Sequence, residues 1–131
     1  MNEQEKSRVL TAITQGELYT SAEGGKYRFK NKVLHIRFCA IDDRGSTRFK
    51  FNINPNTLSA DYEIWVCGDA GHYYLIPIEF IREIYEHPHA YQDNAHPGIK
   101  VITADRVKHQ VLYAAGGEKK DISSYFLETL S

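Results

Sequence analysis

The chain has 131 residues, 42% apolar and 25% charged, and a formal net charge of −1. That size predicts a single domain, 1–131, with an ordinary core, and no apolar run approaches the roughly 18–20 residues of a membrane-spanning helix. Two cysteines, Cys39 and Cys67, with no CxxC, exclude a disulfide framework, and the polar start MNEQEKSR is unlike a secretory signal, so a cytoplasmic protein is expected.

Asn2 to about Gln15 has a short apolar stripe, Val9, Leu10 and Ile13, that predicts a helix stopped by Gly16. From Lys26 the period changes to two. Tyr27 and Phe29 alternate with Lys26, Arg28 and Lys30, which predicts a half-buried strand and a tight turn at Asn31-Lys32. Val33 to Ile41 is a second strand, Asp42-Asp43-Arg44-Gly45 a turn, and Arg48 to Ile53 a third strand with Phe49, Phe51 and Ile53 inward. Tyr62 to Cys67 and His72 to Ile76 are expected to be strands, with Pro77 opening a helix over IEFIREIYE, residues 78–86. Residues 87–97 read as a loop, 99–103 and 107–114 as a hairpin, and Asp121 as the cap of a C-terminal helix over ISSYFLETL. The order predicts an α+β fold: a mostly antiparallel β-meander with an N-terminal helix, a helix near 78–86 and a C-terminal helix.

Charge is sorted along this frame. Residues 26–50 carry eight bases against Asp42 and Asp43, an excess of six positive charges. Residues 61–96 carry seven acids against Arg82, an excess of six negative ones. A near-zero total thus hides a dipole, which signals a charged partner or mutual pairing of the two segments.

Strand alternation sharpens the basic half. If the first three strands pair consecutively, Lys26, Arg28, Lys30, His35, Arg37, Arg48 and Lys50 share one face, opposite Tyr27, Phe29, Leu34, Ile36, Phe38, Phe49, Phe51 and Ile53. Such a face suits a polyanion, since Lys and Arg neutralise phosphates and release counterions. The aromatic residues fall on the other side, so backbone contact is expected rather than base stacking. The competing explanations are surface lysines that discourage strand aggregation, or a basic face covered by the acidic helix at 79–86.

The order of parts resembles a small PD-(D/E)XK nuclease-like protein over residues 1–86. YRFKNKVLHIRFC, residues 27–39, aligns with that family's catalytic hairpin, and DYEIWVCGDAGHYYLIPIEFI, residues 61–81, with its later strand pair and helix. The resemblance implies a nuclease-like fold and a restriction- or defence-associated role. The family's first acid would fall near Arg28 and its Glu/Gln-x-Lys on His35-Ile36-Arg37. A guanidinium donates only and cannot hold the Mg²⁺ that carboxylates hold, so the resemblance implies a fold kept for binding rather than cutting, with no metal and no cofactor.

Other chemistry is thinner. Asp42-Asp43 fits a solvated turn, and Asp61 with Glu63 fits a strand end that pairs with the basic segment, although either pair could serve a nuclease. His87, His89 and His96 with Asp93 have ligand types for a transition metal but no element to fix them. Cys39 falls on the His35/Arg37 face without an orienting third group for catalysis. AAGGEKK, residues 114–120, lacks phosphate-loop spacing, and Trp65 and Tyr73-Tyr74 fit core packing.

The expectation is therefore a nucleic-acid-binding module, duplex DNA before RNA, inactive as a nuclease. An active metal-dependent nuclease is the alternative, as is an adaptor or homo-oligomer that docks through the acidic 61–96 segment.

Overall fold

The computed structural model describes residues 1–131, the Thr57 side chain excepted. Helix α1 spans Glu3–Thr14, where the Asn2 side chain accepts from the Glu5 amide at 2.8 Å. It stops where Gln15 turns left-handed at φ 54°. Nine strands follow: β1 (Thr20–Ala22), β2 (Lys26–Phe29), β3 (Lys32–Cys39), β4 (Arg48–Ile53), β5 (Tyr62–Cys67), β6 (Tyr73–Pro77), β7 (Lys100–Asp105), β8 (Gln110–Ala114) and β9 (Glu118–Asp121). Helix α2, Ile78–Glu86, leaves β6 without a loop. The α+β class, the N-terminal helix and the helix over 78–86 are as the sequence predicts.

The strands form two sheets rather than one meander. One has the order β1-β2-β3-β5-β6, the other β4-β7-β8-β9. All pairings are antiparallel except β3 with β5, which run parallel. The expected pairing of the second and third predicted strands is thus corrected: β4 pairs with β7, and β5 takes the place beside β3. The cause lies in residues 40–47. Asp42 Oδ1 accepts from the amides of Arg44 and Ser46, at 3.1 and 2.9 Å. This makes a self-contained turn in a connection longer than the 2–5 residues that close a hairpin. The chain crosses to the other sheet there.

Three layers result. Val9, Leu10 and Ile13 of α1 pack on one face of the first sheet, against Phe29, Leu34, Ile64, Val66, Tyr73 and Leu75. The opposite face of β5 and β6 meets the second sheet and α2, where Trp65, Tyr74 and Ile76 pack with Phe49, Phe51, Ile53, Ile81 and Val111. Phe51 stacks on Trp65 with ring centroids 4.8 Å apart. Since both faces of β5 and β6 are covered, their near-continuous apolar runs are buried.

The expected C-terminal helix is a single 3-10 turn, Ser123–Tyr125, whose N-cap is Ile122 rather than the expected Asp121; Asp121 accepts from the Ser123 amide at 2.8 Å just before it. Leu127 then turns left-handed, and the tail runs as a strap: its amide donates to Tyr73 O, and that of Leu130 to Ile13 O. Among the described residues no helix is long and apolar enough to cross a membrane.

Candidate nucleic-acid interface

Alternation and register decide what the first sheet shows. Lys26 and Arg28 of β2, His35, Arg37 and Cys39 of β3, and Glu63, Trp65 and Cys67 of β5 point to one side. Under β5 and β6 this side is covered by the second sheet. Over β2 and β3 it is not, and it is polar there.

Glu63 is the hinge between the two regions. It is 0% exposed and lies beside His35 in the parallel register. His35 Nδ1 donates to Glu63 Oε2 at 2.9 Å, and Arg37 Nε to Glu63 Oε1 at 2.5 Å. A buried carboxylate without partners would cost several kcal/mol, so one acid in the apolar strand YEIWVC requires cations beside it. Its partners are the residue directly beside it on the neighbouring strand and the one two residues further along.

His35 and Arg37 form one wall of a cleft of about 460 Å³, completed by Gly24, Lys26, Asn56 and Ser59. Gly24 and Gly25, at φ +71° and +72°, make the β1–β2 turn that closes one end, a conformation other residues rarely adopt. The Lys26 ammonium donates to Ser59 Oγ. A second cleft, about 390 Å³, is lined by Cys39, Ala40, Asp42, Ser46, Arg48, Lys50 and Thr103. The two adjoin along β3, since His35, Arg37 and Cys39 lie on the same face two residues apart.

The seven predicted basic residues therefore separate. Lys26, Arg28, His35 and Arg37 share the first sheet's face. Arg48 and Lys50 project from the outer face of β4, an edge strand of the second sheet, while Phe49, Phe51 and Ile53 point inward as expected. They line the second cleft, together with Cys39 of β3, and come from the other sheet. Lys30 leaves the set: it adopts φ 54° in the β2–β3 turn and its ammonium lies 3.4 Å from Glu17. Arg48 also contacts Asp105, at 3.8 Å.

The acidic segment does not cover this region. No residue of α2 lines either cleft, and Glu83 pairs instead with Lys120 at 3.5 Å. Of the acids at 61–96, Glu63 alone contacts the basic face among the described residues. Asp61 Oδ2 accepts from the Val33 amide at 2.7 Å, and Asp69 pairs with His72 and Arg106. In the 87–97 loop, His87 Nδ1 accepts from the His89 amide and Asp93 from those of Ala95 and His96. Cys39 is half-buried and Cys67 buried. Burial, reinforced by Cys39, pushes the Cys67 thiol up to about 12, with Arg106 opposing.

The sequence pointed to Glu63, with Asp61, as a strand-end acid pairing with the basic segment or as half of a carboxylate pair. The stronger signal was its place inside a strand of otherwise apolar residues. Asn56 and Ser59 carried no sequence signal, because their approach depends on the 54–61 connection between sheets. No protein-family model, curated protein or solved structure matches the chain.

Proposed function

We propose that this protein binds the sugar–phosphate backbone of nucleic acid, duplex DNA first, without cutting it. The observation that carries the reading is a pair of adjoining clefts: Lys26 and Arg37 of the first sheet line one, Arg48 and Lys50 of the second line the other, and Arg28 is exposed on the same face as Lys26. Two buried acids lie beside them: Glu63 is held by His35 and Arg37, and Asp105 lies 3.8 Å from Arg48. Cations on two sides of a groove neutralise phosphates and hold a rod-like polyanion in register.

The same geometry weighs against metal-dependent cleavage. Glu63 has both oxygens engaged by cations, Asp61 accepts from a backbone amide, and Asp42 is used in its own turn. The positions at which a PD-(D/E)XK relative would carry its acid and Glu/Gln-x-Lys hold Arg28 and His35-Ile36-Arg37, so the resemblance accords with a binding fold.

Titration of a labelled duplex at ~50 mM salt tests this, with affinity of micromolar order expected for backbone contacts. No binding at that salt would sink the proposal. Cleavage of plasmid DNA with Mg²⁺ or Mn²⁺, abolished by Asp61→Asn, would replace it with the nuclease alternative.

A further inference from the structure

We infer that the cleft between the β1–β2 turn, β3 and the 54–61 connection is a receptor for one phosphomonoester group, as at a strand end or on a mononucleotide. This deepens the nucleic-acid reading and rests on it only for the source of the phosphate.

The lining decides the ligand's sign. Lys26, Arg37, Asn56 and Ser59 bring an ammonium, a guanidinium, an amide and a hydroxyl to one space of about 460 Å³. Among the lining residues there is no carboxylate. Glu23, the acid of the adjacent turn, is exposed and lies outside the lining, and Glu63 sits beneath it, fully buried, with its oxygens taken up by His35 and Arg37. Among the described residues Lys26 has no carboxylate partner; its contact is the neutral Ser59 hydroxyl.

Glu63 also makes the wall rigid. It fixes the His35 ring by taking its Nδ1–H and fixes Arg37 through Nε, so neither must be ordered when a ligand arrives. His35 Nε2 faces the glycine turn, 3.9 Å from where a Gly25 Cβ would lie, and in the imidazolium form it is a further donor.

Charge favours a terminal over an internal phosphate. The donors converge on the space from three separate chain segments: β2 with the turn before it, β3, and the 54–61 connection. A phosphomonoester carries about −1.5 to −2 charges at pH 7, against one for a diester, and presents three acceptor oxygens to convergent donors.

The test compares one short duplex with a 5′-phosphate, a 3′-phosphate or hydroxyl ends, at fixed salt, with AMP and inorganic phosphate as competitors. The inference predicts that one phosphorylated end binds about tenfold tighter than the hydroxyl duplex, the worth of one charge-assisted hydrogen bond. Lys26→Gln should abolish that preference, so that phosphorylated and hydroxyl duplexes bind the variant equally. Because Lys26 is not part of the buried pair, the variant should stay folded, which circular dichroism checks; Ser59→Ala is a second, milder probe. Equal binding of all duplexes, with AMP failing to compete, overturns the site and leaves the backbone reading standing. Binding of AMP, weakened by Lys26→Gln, without duplex binding assigns the site to a mononucleotide and overturns the backbone reading. A phosphate preference that Lys26→Gln does not change places the phosphate elsewhere and overturns the inference.

Discussion

Arg37 Nε donates to Glu63 Oε1 across neighbouring parallel strands, and this bond joins the exposed cationic face to the buried core. Removing Arg37 leaves a carboxylate that is 0% exposed with a cationic partner lost and only the His35 contact kept. Arg37→Met should therefore destabilise the fold by about 3–5 kcal/mol, as breaking a buried ion pair does. Arg37→Met with Glu63→Gln should cost clearly less than the sum of the two single changes. Urea denaturation of the four proteins measures the coupling; additive losses would show that the pair does not act as a unit.

The exposed cations should behave in the opposite way. Arg28 and Lys50 stand on exposed strand positions, and neither has a carboxylate partner among the described residues. Arg28→Gln and Lys50→Gln should each change stability by no more than about 0.5 kcal/mol. A thermal melt showing a larger loss in either would mean that the side chain packs rather than faces a ligand.

The cysteines give a pH prediction. Cys39 and Cys67 are cross-strand neighbours, yet only Cys39 has an accessible side chain. Native protein at pH 8 should take up one equivalent of iodoacetamide, and unfolded protein two. Burial holds the Cys67 thiol protonated to about 12, above its value in the unfolded chain. Above about pH 9 the unfolded state therefore binds fewer protons, and stability should fall with rising pH by up to about 1.4 kcal/mol per unit from this group. Cys67→Ala should lower stability overall but remove that share of the slope. An unchanged slope would assign the alkaline loss to other groups, the buried Tyr74 phenol first among them, whose ionisation burial also pushes up.

The C-terminal strap should be part of the fold. Phe126 lies 5.3 Å from the Tyr74 ring and 4.5 Å from that of His109, whose Nδ1 is hydrogen-bonded to the Tyr74 hydroxyl at 2.7 Å. Phe126→Ala should cost about 2 kcal/mol, below the range for a fully buried phenylalanine because the ring is half-exposed. Chemical denaturation checks it, and a loss under about 0.5 kcal/mol would mean that the strap is merely laid on the surface.

What the sequence made legible follows from local physics. Alternation in RFKFNI marked β4 and its buried phenylalanines, and YEIWVC and IEFIREIYE marked β5 and α2 with the bounds found. The local hairpins, β2 with β3 and β7 with β8, were legible, but pairing beyond neighbouring strands was not. Nothing in residues 40–47 says that the chain changes sheets, so Arg48 and Lys50 were assigned to the wrong sheet. The short β1 and β9 were missed because three or four polar residues carry no period; β9 exists because EKKD can pair with β8. ISSYFLETL has a cap and apolar residues at helical spacing, but tertiary contacts of Phe126 and Leu127 with β6 turn it into a strap. The basic residues were legible individually, whereas their cleft needed the crossover.

The central claim is that cations from both sheets meet phosphates. Its most direct measurement is the slope of log K against log salt for duplex binding, for wild type and for the Arg28→Gln/Lys50→Gln double variant, which takes one charge from each sheet. If each meets one phosphate, the variant's slope should be shallower by about two units, with circular dichroism unchanged. An unchanged slope in a folded double variant would contradict the account.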